Sequence, residues 1–443
     1  MDKIIHYFLQ KIQAQKYVIN KYGIILFIIN KIKVLLIKHI PNLVLLIIFF
    51  PIALTIRFIS PFYLIRFEPL ISARIGHYAS RPELYLCEKK LKINTPKQKY
   101  TDFFFNMYEG SCNKYFEKVL KKKINIIPYR IGSAFYYLNR LFCFISKKKN
   151  IFEIKYTNAD YDVFNLFEKV RCQLKLNKYD IQEGYEKLKF FGLKKNQKFV
   201  CVLFRDDGYL KKKFPNADYF YHNYRNANID NFSSAAKYLI SKGYYIFIMG
   251  RVTNKKFSLN HPMIIDYANS DFKTDFLDIF LSHECSFFIS TGTGLDSVAY
   301  IFRKPILYVN FVPIEIIHLY SQNRNLSFIF KHHYSKKIKK KLSLKEIFKE
   351  KLHNASFYDL YKRKKILLIE NSKKELLDTT IEFEKKISKK LLKKKIYNNN
   401  QKKFWDTFEV LIKKNSIDSK YQFKNYYAEI SESFLSKNKY LLK

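Results

Sequence analysis

The segment FFISTGTGLDSVAYI, residues 287–301, decides the fold class. It starts with an apolar run typical of a buried strand, continues through a loop with two glycines, and predicts a helix over Thr293 to Phe302. A strand that leads through a tight loop into a helix is the repeating unit of a parallel α/β sheet.

The same unit recurs on both sides of this segment. Predicted strands and helices alternate along the C-terminal half, in the order strand Phe199–Phe204, helix Phe232–Lys242, strand Tyr244–Met249, helix Asp275–Glu284, strand Phe287–Ser290, helix Thr293–Phe302 and strand Pro305–Val309. This succession predicts a doubly wound, Rossmann-like domain with a parallel sheet.

A second, shorter α/β pattern precedes that domain. Strands are predicted near Pro69–Arg74, Tyr100–Met107 and Lys123–Ile127, and helices over Ala79–Leu91 and Ser133–Ile145. The expected organisation is therefore an N-terminal α/β domain with a helical connection over residues 66–195, a Rossmann-like domain over 196–385, and a Lys-rich helical or loosely ordered tail over 386–443.

The N-terminal segment, residues 1–65, is hydrophobic and amphipathic. Residues 1–40 alternate apolar clusters with single lysines, and an uncharged run from Leu43 to Ile56 ends at Arg57. Three interpretations stay open: an interfacial anchor on an anionic membrane surface, a single tilted span over Leu43–Ile65, or a buried core helix. The expected location is the cytoplasmic face of the plasma membrane, peripheral or single-span.

The charge and the cysteine content of the chain restrict the kinds of partner and metal site that we expect. The 443 residues include 81 Lys and Arg against 38 Asp and Glu, a formal net charge of +43. This excess favours an anionic partner, although compositional drift toward Lys explains part of it equally well. The six cysteines are widely separated and lack the spacing of zinc ribbons, so we expect no structural metal.

Candidate binding residues follow the predicted strands, because ligands of such sheets bind at the carboxyl ends of the strands. Arg205 follows the strand Phe199–Phe204, and Asn310 follows the strand Pro305–Val309. The loop Ser290-Thr291-Gly292-Thr293-Gly294 begins at the end of the strand Phe287–Ser290. Loop amides, threonine hydroxyls and an arginine fork would together bind a diphosphate. Asp296 would repel phosphate unless it faces away or accepts from a ribose hydroxyl. The alternative is an ordinary strand–helix turn, since Gly292-x-Gly294 is a weak Rossmann match.

A set of motifs in fixed order resembles a little-characterised family of bacterial glycosyltransferases found with surface-polysaccharide and glycan genes. The motifs are Arg74-Ile-Gly-His77, Pro82-Glu83-Leu84-Tyr85-Leu86, Phe204-Arg205-Asp206, Tyr224-Arg225-Asn226, Met249-Gly250, Ser290 to Asp296, Arg303-Lys304-Pro305, and Glu370-Asn371-Ser372 with Glu375. The resemblance implies a GT-B-like architecture, in which two Rossmann-like halves face a cleft. It implies that residues 66–195 form the acceptor-side domain and residues 196–385 the donor-binding domain. It also implies that Arg205 and the Ser290–Ser297 loop bind the donor diphosphate as in fucosyltransferase-like enzymes.

The implied reaction moves a sugar from a nucleoside-diphosphate sugar to a glycolipid or surface-polysaccharide acceptor, without a metal or other cofactor. His77 is the candidate base for the acceptor hydroxyl, unless it only orders its own loop. Arg74, Arg225 and Asn226 are candidate donor or acceptor contacts, although the two arginines are equally suited to pairing with surface carboxylates.

Three alternatives stay beside this hypothesis. The tripeptide Asp160-Tyr-Asp162 has the spacing of a metal-binding D-x-D motif, but charge on a solvated loop explains it as well. A nucleotide-sugar 2-epimerase of the same architecture would use the same diphosphate site. A basic nucleic-acid-binding protein would suit the charge and the aromatics, but no motif for nucleic acid is present, so no nucleic-acid partner is expected.

Overall fold

The computed structural model describes residue 29 and residues 40–107, 110–147, 149–155, 161–194, 196–213, 220–355, 358–390, 398–415 and 426–443. Most of the basic amphipathic segment predicted over residues 1–40 lies outside these residues, as does Asp160. The described chain forms a helix, α1 (Ile40–Ile59), followed by two α/β units. The predicted fold class of two α/β halves after a helical segment is therefore confirmed.

The first unit is built on a three-stranded parallel sheet in the order β1-β2-β3. Its elements are β1 (Tyr63–Leu70), α2 (Ile75–Lys90), β2 (Lys99–Asn106), α3 (Lys114–Lys121), β3 (Asn125–Ile127) and α4 (Tyr129–Ser146). A buried ion pair links the first two strands: the Arg66 guanidinium donates two hydrogen bonds, of 2.7 and 2.8 Å, to Asp102. The Tyr85 hydroxyl of α2 donates to the same carboxylate at 2.6 Å, which fixes the helix against the sheet.

The apolar run around residues 43–65 is divided between two elements. Helix α1 ends at Ile59 and β1 begins at Tyr63, where the chain pairs with β2. Ala53 and Ile56 of α1 are buried in a cluster with Phe135 of α4. No helix that the structure describes is long and apolar enough to cross a membrane. The interpretation of Leu43–Ile65 as a single tilted span, and with it the single-span form of the expected location, is therefore wrong.

The connection between the units contains α5 (Leu166–Lys169) and α6 (Lys178–Lys189). Buried Asp162 precedes α5 and accepts hydrogen bonds from the amides of Leu166 and Phe167 at 2.6 and 2.7 Å. Both carboxylate oxygens of Asp162 are thus used to cap a helix. This corrects the interpretation of Asp162 as charge on a solvated loop.

The second unit is built on a seven-stranded parallel sheet in the order β13-β9-β8-β7-β4-β5-β6. Its elements up to β9 are β4 (Phe199–Leu203), α7 (Gly208–Lys213), α8 (Ser233–Ser241), β5 (Tyr245–Ile248), β6 (Ile264–Ile265), α9 (Asp275–Glu284), β7 (Phe288–Ser290), α10 (Asp296–Ile301), β8 (Ile306–Phe311), α11 (Ile317–Tyr320) and β9 (Leu326–Phe330). Two 3₁₀ helices, Phe220–Arg225 and Ile229–Phe232, lie between α7 and α8. The central strands are buried along their whole length, as expected for a sheet covered by helices on both faces.

The chain after β9 adds a small antiparallel sheet and returns to the large one. Its elements are β10 (His332–Ser335), β11 (Lys340–Lys341), α12 (Leu344–Lys349), α13 (Tyr358–Arg363), β12 (Ile366–Ile369), α14 (Lys373–Ser388), α15 (Asn399–Asn415), β13 (Glu429–Ile430) and α16 (Glu432–Lys437). Capping boxes open α12 at Ser343 and α14 at Ser372. Strand β13 pairs with β9, so the end of the described chain completes the edge of the large sheet.

Candidate functional site

The order in which the chain adds strands to the large sheet reverses at β4. From β4 the chain adds β5 and β6 on one side, and then returns to add β7, β8 and β9 on the other. Ligands of parallel α/β sheets bind in the crevice outside the carboxyl ends of the two strands that flank this reversal. Arg205 follows β4 and Thr291 follows β7, so both lie at this crevice.

Arg205 and the predicted loop are in direct contact. The Arg205 amide donates a 2.9 Å hydrogen bond to Thr291 Oγ1, and the Thr291 amide donates to the Leu203 carbonyl at 3.2 Å. These bonds continue the pairing of β4 with β7 beyond the last strand residues. The two parts of the predicted diphosphate site are therefore held together by the sheet itself.

Two further predicted residues join this contact from the 3₁₀ segment. The Arg205 guanidinium donates to Asn226 Oδ1, and the Arg225 guanidinium donates to the carbonyl oxygen of Gly292. Burial, and next the neighbouring charge of Arg225, lower the pKa of Arg205 to about 10. Buried Nε of Arg225 has no hydrogen-bond partner among the described residues. Two partly buried guanidinium groups of like charge thus meet in one crevice.

Two of the loop amides donate hydrogen bonds within the loop itself. The Gly292 amide donates to Ser290 Oγ at 3.1 Å, and the Thr293 amide donates to Asp296 Oδ2 at 2.7 Å. Asp296 also accepts from the Ser290 hydroxyl at 2.5 Å. These two amides are occupied, which corrects the expectation that they bind phosphate. Thr293 Oγ1 is buried and has no partner in the described part of the chain.

Asp296 is a structural residue of this loop. Its side chain lies at the start of α10 and is 2% exposed. Burial raises the pKa of Asp296 to about 6, against the hydrogen bonds from Ser290 and Thr293 and the charge of Arg225. Because Asp296 closes the loop in front of α10, the helix begins three residues later than the predicted Thr293 start.

Gly292 is required at its position for two reasons. Its φ of +77° is in the left-handed region that side chains rarely adopt. A Cβ there would also lie 2.9 Å from the Phe311 ring, closer than real Cβ contacts. The Gly292 carbonyl can therefore reach Arg225 only because the loop makes this turn.

The first unit contacts the loop through the first turn of α2. A Cβ on Gly76 would lie 3.1 Å from Gly294 Cα, and a Cβ on Gly294 would lie 3.3 Å from the Gly76 nitrogen. His77 follows Gly76 and is half-buried, so the candidate base lies next to the loop of the other unit. Arg74 directly precedes α2 and is exposed, and its side chain makes no cap hydrogen bond.

A buried ion pair also joins the units and explains two of the quoted motifs. Arg303, which follows α10, donates to Glu83 of α2 at 2.8 Å. Glu83 is fully buried and also accepts from the amides of Gln173 and Leu174, both at 3.0 Å. The motifs Pro82-Glu83 and Arg303-Lys304-Pro305, which are far apart in sequence, therefore meet in space.

Asn310 lies at the end of β8, beside β7, and ties another segment to the sheet. Its amide and Oδ1 exchange hydrogen bonds of 2.7 and 2.6 Å with Asn371, and Asn371 Nδ2 donates to the Phe330 carbonyl at 2.7 Å. Asn310 is fully buried, with φ of +51°. Its Nδ2 has no partner among the described residues. The predicted role of Asn310 in binding stays a prediction, whereas its contact with Asn371 is structural.

Sequence reasoning missed Lys331, which follows β9 at the same edge of the sheet. Its Nζ donates to the carbonyl oxygen of Asn226, beside Arg205. Burial lowers the pKa of Lys331 to about 8, against the charge of Glu370 and with a smaller contribution from the charge of Arg205. The signal in the sequence is a lysine directly after the largely apolar run Leu326–Phe330, since this run forms a strand, β9, that the sequence analysis does not include.

Comparisons with known proteins give a fold likeness only. No protein-family model and no curated protein matches the chain. The E. coli ADP-heptose LPS heptosyltransferase II matches with 12% identity and a TM-score of 0.34, over 56% of this chain and 86% of that chain. A family 9 glycosyl transferase from Veillonella parvula matches with 10% identity and a TM-score of 0.31, over 56% and 79%. A UDP-N-acetylglucosamine 2-epimerase from Listeria monocytogenes matches with 8% identity and a TM-score of 0.26, over 55% and 78%. All three TM-scores lie below 0.5, so none of these likenesses assigns an activity to this chain.

Proposed function

We propose that this chain is a glycosyltransferase that transfers a sugar from a nucleoside-diphosphate sugar to a hydroxyl acceptor. The observation that carries the proposal is the meeting of Arg205 and Arg225 with Thr291 and Gly292 at the reversal point of the large sheet. Two guanidinium groups held together against their mutual repulsion favour an anionic ligand with more than one negative charge. A diphosphate has that charge.

The diphosphate is the leaving group of the proposed reaction. When the bond between the sugar and the diphosphate breaks, negative charge grows on the departing oxygen, and fixed cations in the crevice stabilise it. Arg205 and Arg225 supply this stabilisation in the proposal, so the transfer needs no metal ion. The unpartnered Arg225 Nε and the Thr293 hydroxyl are additional donors at the same edge.

The first unit provides the acceptor side. His77 is the proposed base that removes the proton from the acceptor hydroxyl, because the Gly76–Gly294 contact brings the first turn of α2 against the diphosphate loop. A glycolipid or surface polysaccharide is the proposed acceptor, and this class rests on the motif resemblance alone.

Two successive experiments test the proposal. The first measures nucleotide binding, and the second measures acceptor-dependent release of nucleoside diphosphate. UDP, GDP, ADP and CDP are compared for thermal stabilisation of the full chain, and we expect one or two of them to raise the melting temperature. The matching nucleotide sugars are then incubated with and without glycan acceptors. Release of nucleoside diphosphate only with an acceptor supports transfer. Change of configuration at the sugar C2 without an acceptor would instead indicate an epimerase, and no stabilisation by any nucleotide would contradict the diphosphate site.

A further inference from the structure

Lys331 is a buried ammonium group that forms no direct ion pair within the described part of the chain. It is 4% exposed, and no carboxylate oxygen of the described residues lies within 4.0 Å of its Nζ. Lys386, a partly buried lysine, contrasts with it: Lys386 pairs with Glu382 at 2.9 Å and with Glu429, and these contacts raise its pKa. Burial of an unpaired charge is costly, so its presence at a binding edge requires a reason.

Two charged neighbours of Lys331 act in opposite directions on its protonation. Glu370 favours the protonated form, and Arg205 opposes it to a smaller extent. The Glu370 carboxylate already accepts from the Asn228 amide at 2.8 Å and from Asn231 at 3.1 Å. His333 is fully buried, and burial lowers its pKa to about 3, so that it adds no charge at neutral pH. His332 is held by Glu375 and Tyr440.

Asn226 connects Lys331 to the proposed diphosphate site. Its side-chain oxygen accepts from Arg205, and its main-chain oxygen accepts from Lys331. An ammonium group has three N–H donors, and the structure assigns one of them to Asn226. Lys331 and Arg205 therefore bind the same residue, Asn226. Two N–H groups of the Lys331 ammonium remain for a further acceptor.

We propose that Lys331 is a third cation of the diphosphate site, which binds the leaving nucleoside diphosphate more strongly than the intact donor. This inference rests on the proposed function. In the transfer, the bond between sugar C1 and the diphosphate oxygen breaks, and its electron pair stays on that oxygen. The acceptor oxygen forms the new bond to C1 and loses its proton to the base. The diphosphate thereby changes from two negative charges to three, and Lys331 pairs with the additional charge.

The test compares two variants in the full chain by calorimetry with inorganic pyrophosphate, which carries the diphosphate without a base or sugar. Lys331→Met removes the charge, Lys331→Arg keeps it, and Lys374→Met, at an exposed lysine, is the matched control. We expect Lys331→Met to weaken pyrophosphate binding about tenfold or more. Lys331→Arg and Lys374→Met should stay within about threefold of the wild type by the same scale.

Proton uptake gives a second readout that a merely structural lysine would not change. At pH 9 the free Lys331 is mostly neutral, since its pKa is about 8, and a bound anion restores its proton. Titrations in two buffers of different ionisation enthalpy should show more proton uptake for the wild type than for Lys331→Arg, whose side chain keeps its proton throughout. Because this comparison uses Lys331→Arg, it holds even if Lys331→Met does not fold.

The outcomes separate this inference from the proposed function. If the wild type binds neither pyrophosphate nor any of the four nucleoside diphosphates, the proposed function fails. If Arg205→Ala weakens pyrophosphate binding while Lys331→Met does not, or if Lys331→Arg leaves the proton uptake unchanged, Lys331 is not a cation of the site. Tenfold weaker binding in Lys331→Met with rescue by Lys331→Arg supports it.

Discussion

The amide of Arg205 donates a 2.9 Å hydrogen bond to the hydroxyl oxygen of Thr291. This bond joins the second residue after β4 to the first residue after β7, at the point where the large sheet reverses its order. It fixes the main chain of Arg205 while the guanidinium remains directed toward Asn226. The proposed diphosphate site is therefore positioned by the ends of two buried strands, and a rigid scaffold of this kind favours precise electrostatic stabilisation.

Thr291→Val should reduce the free energy of unfolding by about 1–2 kcal/mol, because the partly buried Arg205 amide loses its acceptor. Valine has almost the same shape, so packing changes little. Urea denaturation measures the effect, and Thr291→Ser, which keeps the hydroxyl, is the control. Equal stability of the valine and serine variants would show that the bond contributes nothing.

Arg205→Ala should lower the affinity for the bound nucleoside diphosphate by about 1.5–3 kcal/mol, since a charged contact to phosphate is lost. Isothermal titration with the nucleotide that stabilises the wild type measures the loss. Arg363→Ala, at an exposed arginine at the end of α13, controls for the loss of one positive charge. Unchanged affinity in a folded Arg205→Ala chain would remove Arg205 from the site.

His77→Ala should abolish most of the turnover and leave nucleotide binding intact. A positioned base contributes roughly 100- to 10,000-fold to a rate, and His77 belongs to the first unit, whereas Arg205 and Arg225 belong to the second. Turnover is measured as acceptor-dependent release of nucleoside diphosphate, and binding as thermal stabilisation. Full activity of the variant would leave His77 with a role in ordering its turn only.

Glu83→Gln should lower the stability by about 3–5 kcal/mol, because it leaves Arg303 without its buried partner. Urea unfolding of the single variants and of Glu83→Gln with Arg303→Met measures the coupling. The double variant should lose less than the sum of the single losses. Strict additivity would mean that the ion pair does not join the two units energetically.

Asp296→Asn should change how stability depends on pH between about pH 4 and pH 6. The pKa of Asp296 is raised from 3.8 to about 6 in the folded chain, so the folded state holds a proton that the unfolded state has released. Its contribution to the free energy of unfolding therefore falls as pH rises through this range, by about 3 kcal/mol in total. The difference in stability between wild type and variant, followed by urea unfolding at several pH values, should decrease across this window and level off above it. A constant difference would contradict the raised pKa.

The parallel sheet was predictable because its strands are continuous apolar runs separated by helical patterns. The strand–loop–helix segment around Thr291 and the position of Arg205 at a strand end follow from that pattern alone. The hydrogen bonds within the loop were not predictable from the sequence. They depend on the Asp296 carboxylate, which accepts from the Ser290 hydroxyl and from the Thr293 amide. Only tertiary burial determines whether an acidic residue at this point repels a ligand or closes its own loop.

The edges of the site depend on contacts between residues far apart in sequence. Asn310 meets Asn371 across 61 positions, and Lys331 meets Asn226 across 105. No periodicity or spacing encodes such pairs in a single sequence. In the same way, the apolar run that ends at Ile65 gives no local sign that it divides into α1 and β1, because the division arises from the pairing of β1 with β2.

The short strand β13 has a practical consequence for the handling of this protein. Its residues Glu429 and Ile430 cover the outer edge of β9, the strand that leads into Lys331. A chain shortened before Tyr426 would leave the backbone of β9 open, and an uncovered strand edge invites pairing with other molecules. Shortened versions should therefore form aggregates during purification, and an affinity tag is better placed where it does not disturb the last eighteen residues, 426–443.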